Sequence, residues 1–398
     1  MIKITNIESK TRKKKKRQLL AGVVFSMAMF VYPLVGILTS FFHVEDRILS
    51  ISFRLILVFI CIGVIVAQRQ RLRLDKWRCL LLLVWATLVI RLFYDWIFGG
   101  VEIASYALYF FLSSVLMPVF ALWSCNEWDD LLFARLGLLI AGASSILSLV
   151  SDAFGLFGEA SFTLITGRLS LIALNPISLG NLASSGIFCA FVLGQKANFR
   201  RRSILAILIV LLLMVLVATG SKSCALALAL PLLAWLTKRR AWFGAILSIF
   251  IMCLVLVFAE SSLKSRLGEA EHDPSTEKRM TLIEDSVHQI IRNPLIGSSF
   301  VELKSGYYPH SIFLEAPMAF GIPLSLAVFL LLAYGSLLAW RGLNSSFNLI
   351  SLLFLQGLIG ISVSGSMFSA AGLWIPMALM LNNAKRNPQA PDSNYDKL

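Results

Sequence analysis

The sequence predicts an all-α, polytopic membrane bundle of about twelve transmembrane helices with one long polar loop on its outer side, and three observations predict it. The chain is 58% hydrophobic and only 15% charged over 398 residues, far too apolar for a soluble protein of this length. Runs of about twenty apolar residues, enough to cross roughly 30 Å of hydrocarbon as helix, recur along it with no room for a soluble domain between them. Residues 260–310 alone break the pattern, with charge, glycine and proline.

Residues 1–18 form a basic tail in which Arg12, Lys13, Lys14, Lys15, Lys16 and Arg17 run together. Residues 19–41 are the first crossing. That run exceeds the apolar core of a cleavable export signal and no small-x-small site follows it, so it is expected to stay as an anchor. Further crossings fall at 49–68, 79–98, 102–124, 131–151, 176–195, 203–219, 221–237 and 242–259, which makes 19–259 the first membrane block. Residues 260–310 are the outer loop, expected to contain short helices, and 311–385 hold the last crossings at 312–340, 346–364 and 367–383. The polar, proline-containing end at 386–398 is expected to be disordered.

A net charge of +14 could signal nucleic acid, but its distribution follows topology instead. Besides the tail, basic residues gather at Arg69, Arg71, Arg73, Lys76 and Arg78, at Lys196, Arg200, Arg201 and Arg202, and at Lys238, Arg239 and Arg240. These connections share one side if every run crosses. The positive-inside bias then puts both termini in the cytoplasm and residues 260–310 outside, in the periplasm of a cell with two membranes. Anionic lipid headgroups, not nucleic acid, are the partner of the basic tail. The six cysteines lie in or beside crossings and none lies in an outer loop, which argues against a disulfide framework. His43, His272, His288 and His310 show no paired spacing with Cys or Glu, so no metal site and no cofactor are expected.

Two arginines fall inside crossings. Arg91 stands four residues before Asp95, where an i,i+4 pair is available, and Arg54 is expected to snorkel from near the outer end of its run. Phe93, Tyr94, Trp96 and Phe98 read as an interfacial aromatic belt.

Four basic groups are predicted on the outer face, at separate positions along the chain. Arg168 lies in the connection 152–175, Lys222 follows the tight turn Thr219-Gly220-Ser221, and Arg279 and His310 belong to the long loop. In that loop Ser275 or Thr276 can cap a helix whose Met280, Ile283, Val287 and Ile290 make an apolar stripe, to lie on the membrane surface or on the bundle. The helix should stop before Pro294, and Gly297 permits a sharp redirection. The run beginning at Ser311 contains Glu315, Pro317, Gly321 and Pro323 and is longer than a bilayer needs, so a broken or partly re-entrant start is expected. Such backbone is tolerated only in protein or beside a wet cavity, which would set His310 at a cavity rim. If the four groups converge, they suit an anion, since guanidinium forks match phosphate oxygens and Lys supplies a compact charge.

Asn293-Pro294-Leu295-Ile296-Gly297 followed by His310-Ser311 and then Gly321 resembles the outer loop of the O-antigen ligase and polymerase superfamily. Gly167-Arg168 with Asn175-Pro176, and Thr219-Gly220-Ser221-Lys222, resemble two further stations of that family, so the likeness covers roughly residues 160–340. Where the family usually has Ser-Arg, this chain has Ser221-Lys222, which keeps the charge and loses the fork.

The resemblance implies a metal-independent glycosyltransferase of the bacterial inner membrane, with its site facing the periplasm. The donor would be a glycan on undecaprenyl diphosphate, and the acceptor lipid A-core for a ligase or a second lipid-linked glycan for a polymerase. In that chemistry His310 would take the acceptor hydroxyl's proton, with an ordinary imidazole pKa of about 6.5, and Arg279 would stabilise the departing diphosphate. Arg168, Lys222 and Ser221 would bind the diphosphate, Glu315 could orient His310 or cap a helix, and Arg91 or Arg54 could line the donor pocket. The spacing from His310-Ser311 to Gly321 favours the ligase. A transporter of lipid-linked oligosaccharide would also need cations within broken helices, but the chain lacks two matching halves. A scaffold would not account for the outer basic set.

Overall fold

A computed structural model describes residues 2–42, 46–68, 74–125, 128–153, 175–195, 197–239, 274–345 and 348–384, and among them every regular element is helical. In chain order they are α1 (Ile2–Ser26), α2 (Tyr32–Phe42), α3 (Asp46–Gln68), α4 (Lys76–Ile97), α5 (Glu102–Phe111), α6 (Met117–Cys125) and α7 (Asp130–Ala153). There follow α8 (Pro176–Gly194), α9 (Phe199–Ala218), α10 (Lys222–Lys238), α11 (Pro274–Arg292), α12 (Ile312–Gly342), α13 (Asn348–Val363) and α14 (Ala371–Ala384). Short π-helical pieces, Met27–Val31 and Leu112–Leu116, join α1 to α2 and α5 to α6 into two continuous rods.

Eight segments among the described residues are long and apolar enough to cross a membrane: Thr11–Ser40, Arg47–Gln68, Lys76–Ile97, Glu102–Cys125, Asp130–Ser151, Pro176–Gly194, Phe199–Ala218 and Ile312–Gly342. The protein is therefore a polytopic helical membrane bundle. Helices α10, α13 and α14 stand where three more crossings were expected, α10 at the expected length and α13 and α14 somewhat shorter, and the expected crossing at 242–259 lies outside the described residues. The basic run before the first crossing is itself helical, part of α1.

Helix starts follow local chemistry. Asp75 caps α4 by accepting from the backbone of Trp77 and Arg78, at 3.1 and 3.0 Å. Asn175 does the same for α8 through Ile177 N at 2.9 Å, with Pro176 at the first helical position where its missing N–H costs nothing. The core is the set of faces that α8 presents to α7, α9 and α10, and that α13 presents to α10, α12 and α14. Trp85 sits in the α4 face of that core, packed edge-on against Trp374 at 6.1 Å between ring centroids.

Two departures from the sequence expectations concern α11 and Arg54. Ser275 and Thr276 lie inside α11 rather than capping it, because Pro274 takes the first helical position. Arg54 does not snorkel: it is 1% exposed, enclosed by aromatic rings. The end of α11 at Arg292, just before Pro294, is as expected.

The feature that shapes the functional end of the bundle is a break in α12 at Gly321, whose φ of 74° and ψ of 171° are not helical. A break leaves backbone donors and acceptors unpaired at membrane depth, and here the chain between α11 and α12 supplies the partners. Ser298 N donates to Met318 O at 2.8 Å, and Ile322 N donates to Pro294 O at 2.7 Å. The Asn293–Gly297 turn is thus stitched onto the break. The approach is close enough to require glycine on both sides: a Cβ on Gly321 would lie 2.3 Å from Leu295 O, and one on Gly297 2.6 Å from Ala319 C. Both also have positive φ. Gly321→Ala should destabilise the purified protein by at least about 2 kcal/mol, from left-handed strain plus overpacking, and read out as a lower thermal unfolding midpoint in detergent.

Candidate active site

The stretch between α11 and α12 is held from three directions. Asp95, 1% exposed near the end of α4, accepts from Ser299 Oγ at 2.9 Å and from Phe300 N at 3.0 Å through Oδ2. Its other oxygen faces Arg91 Nε at 3.0 Å, the expected i,i+4 pair. From α11, Gln289 donates to Val301 O at 3.1 Å and accepts from Leu303 N at 3.0 Å, while Asp285 pairs with Lys304 at 2.5 Å. The buried Glu302 carboxylate closes the turn on itself by accepting from Lys304 N and Ser305 N at 2.8 and 2.7 Å.

The third hold is the backbone pairing of Ser298 and Pro294 with α12, which is itself anchored at its first turn. Glu315, fully buried, accepts from Met367 N at 2.9 Å and from Ser366 Oγ. It therefore fastens the segment between α13 and α14 to the first turn of α12. Both of its oxygens are thus engaged by the 366–367 segment, and Glu315 makes no hydrogen bond to His310.

His310 emerges from this scaffold in a strained conformation. Its φ of 56° makes it the one non-glycine residue with positive φ among those described, a conformation that persists only where the surroundings impose it. The ring stands edge-on to Tyr308 with centroids 4.6 Å apart, and its buried Nδ1 has no hydrogen-bond partner. Burial, and then the positive charge of Arg279, push the imidazole pKa below its ordinary value. Arg279 and His310 are thus within electrostatic reach, from opposite ends of the 274–311 segment, and both burial and that charge disfavour the imidazolium form.

Arg279 itself is exposed and forms no ion pair among the described residues, since Asp285 is engaged by Lys304. The apolar stripe of α11 points away from the bundle: Met280, Ile283 and Val287 are exposed, while Ser286 and Gln289 are buried on the inner face. That is the orientation of a helix lying on a lipid surface.

Lys222 and Ser221 occupy the turn before α10, where Gly220 has a φ of 57° and the Ser221 and Ser223 hydroxyls are 3.0 Å apart. No hydrogen bond or ion pair joins either residue to His310 or Arg279. The turn packs instead on the start of α8, where Cys224 Sγ donates to Ile177 O at 3.2 Å. Beside that contact opens a cavity of about 350 Å³ whose walls include Asn181 and Ser185 of α8, Gln356 of α13, and Ser364, Ser366 and Ser369. Ser366 is the residue that bonds Glu315, so the cavity links the α8–α10 corner to the base of α12. Arg168 lies outside the described residues.

Sequence reasoning missed the grip of Asp95 on the loop, the contact of Tyr308 with His310, and the tether from Glu315 to Ser366. A lone acid inside an apolar run is a detectable signal for Asp95 and Glu315; their partners, far away in sequence, are not.

This architecture defines a polytopic helical membrane protein in which a strained, half-buried histidine follows an outer helix that carries an exposed arginine. The family model described as O-antigen ligase matches residues 207–329, a stretch that contains Ser221, Lys222, Arg279, His310, Glu315 and both glycines of the break. The match supports assignment to the O-antigen ligase superfamily, whose motifs the sequence resembles, and a function of the O-antigen ligase or polymerase type. No curated protein matches the chain significantly.

Asp95→Asn removes the charge that offsets the nearly buried Arg91. It should cost about 3 kcal/mol of stability and speed protease cleavage within residues 298–310, measured by thermal unfolding and limited proteolysis.

Proposed function

We propose that the protein transfers a glycan from undecaprenyl diphosphate to lipid A-core on the periplasmic face of the bacterial inner membrane, as an O-antigen ligase. The observation that carries this reading is the strained, half-buried His310, whose buried Nδ1 has no hydrogen-bond partner and whose charged form is disfavoured by burial and by the Arg279 charge. A sugar hydroxyl is a weak nucleophile and needs a base in its neutral form at working pH. The acceptor oxygen attacks the anomeric carbon while the bond to the diphosphate oxygen breaks. The hydroxyl proton passes to the His310 imidazole, and the electron pair leaves with the lipid diphosphate. Attack on the face opposite the leaving group inverts the anomeric centre.

Arg279 stabilises charge growing on the diphosphate and keeps His310 deprotonated. Lys222 and Ser221, at the start of α10, and Arg168 complete the diphosphate contacts. Arg91 and Glu315 act behind the reacting groups: Arg91 steadies Asp95, which holds the loop, and Glu315 fixes the first turn of α12, which begins two residues after His310. No metal takes part, because the cations offset the developing charge. A polymerase would use the same donor site and differ in acceptor, and product size separates the two: one glycan on lipid A-core, or a ladder still on undecaprenyl diphosphate.

With purified protein, donor and acceptor, His310→Ala and Arg279→Ala should each lower turnover by at least about a hundredfold, and EDTA should leave the parent rate unchanged. Parent-level product from both variants would dismiss the assignment. The acid limb of the parent's pH-rate profile should lie below the ordinary imidazole value of about 6.5, because protonation of a base with a lowered pKa begins only at lower pH. Arg279→Gln removes one cause of that lowering, so the limb of its residual activity should move to higher pH.

A further inference from the structure

Arg54 is the most conspicuous group that the site above leaves unused. It lies about two turns into α3, roughly 12 Å along the helix axis from its start. Its guanidinium carbon is 4.6 Å from the ring centroid of Phe110, 5.0 Å from Tyr32, 5.4 Å from Tyr106 and 5.8 Å from Tyr109. It makes one hydrogen bond, from Nη2 to the Tyr106 hydroxyl at 3.2 Å. Nε and Nη1 are buried without a hydrogen-bond partner, and no carboxylate among the described residues pairs with the charge.

Aromatic faces offset part of the cost of burying a cation, but they leave donors empty. A guanidinium carries five N–H groups in a planar fork, and a structural arginine at this depth ordinarily finds a carboxylate or backbone carbonyls for them. Two idle nitrogens in a dry setting describe a site whose anion is not supplied by the described residues. The location narrows its chemistry. Tyr32 and Phe110 also form part of the wall of the cavity of about 350 Å³ between α8, α13 and the 364–372 segment. That cavity has apolar walls from Leu57, Leu182 and Leu353 beside its serines, a mixture suited to an amphiphile rather than a free ion. On the other side Tyr106 lies within electrostatic reach of Tyr308, the ring on which His310 rests.

We infer that Arg54, with the Tyr106 hydroxyl, binds a phosphoryl group carried by a lipid whose apolar part occupies the adjoining cavity. The fork gives the phosphoryl oxygens two directed, charge-assisted hydrogen bonds, and the surrounding rings exclude the water that would otherwise screen them. Two lipids share this chemistry: an anionic phospholipid of the surrounding leaflet, and the lipid-linked diphosphate donor. Only the second rests on the proposed function.

The test uses the full-length protein in neutral detergent and reads lipid retention by native mass spectrometry. The probes are phosphatidylcholine, phosphatidylglycerol and undecaprenyl phosphate. The parent should retain at least one of the two anionic lipids over phosphatidylcholine. Arg54→Gln should weaken that retention at least about tenfold, as loss of a charge-assisted hydrogen bond demands. Arg54→Lys keeps the charge, loses the fork and decides the matter should Arg54→Gln not fold; it too should bind at least about fivefold more weakly. Preference for undecaprenyl phosphate makes the donor the occupant, and preference for phosphatidylglycerol makes it a leaflet lipid. Parent binding that ignores headgroup charge, or Arg54→Lys binding equal to the parent, overturns the inference and leaves Arg54 a purely aromatic-caged structural residue. None of these measurements involves turnover, so the proposed transfer reaction stands or falls separately.

Discussion

Two backbone hydrogen bonds across a broken helix carry the functional end of this protein. Interrupting α12 at Gly321 would strand polar backbone in an apolar setting, at several kcal/mol per unmatched group. The chain answers with its own loop: Met318 O takes the N–H of Ser298, and the N–H of Ile322 finds Pro294 O. The exchange works only if both strands of the contact are reduced to bare backbone, hence glycine at 297 and 321. Once the loop is pinned there, its remaining length to Ser311 is short enough that Asp95 and Gln289 can fix its path. His310 inherits its left-handed backbone from that enforced route.

The same economy governs charge within the apolar mass. Asp95, Glu315 and Arg54 are each nearly sealed from solvent, and each sits where a polar contact organises something distant. Asp95 joins α4 to the loop. Glu315 joins α12 to the segment before α14. A polar group so placed is costly unless satisfied, and the two acid side chains are satisfied by backbone N–H, hydroxyl and guanidinium groups. Arg54 is satisfied only in part, which sets it apart from the other two. Exposed cations such as Arg279 and Lys222 bear no structural duty of this kind, which leaves them available to a ligand.

Much of this was legible in the chain. The apolar runs announced the bundle, and the Pro/Gly interruption after His310 announced the broken helix, because both rest on local rules of length and backbone freedom. The Asn293–Gly297 and His310–Gly321 motifs both fall within the stretch that the family model matches. What sequence could not show is pairing across distance. Nothing near Glu315 marks Ser366 as its partner, and Arg54 looked free to snorkel because the tyrosines enclosing it come from α2 and α5. The segment 364–370 between α13 and α14 is where the Glu315 tether lands, a contact that helix length alone does not reveal.

The central claim is that Arg279 and His310 flank the reacting bond. A cryo-EM structure of the protein with a non-transferable phosphonate analogue of the diphosphate donor tests it most directly. The account predicts diphosphate density within ion-pair distance of the Arg279 guanidinium, with the anomeric carbon facing the His310 imidazole across a gap that admits one hydroxyl. Density seated elsewhere in the bundle, with neither side chain in contact, would contradict it.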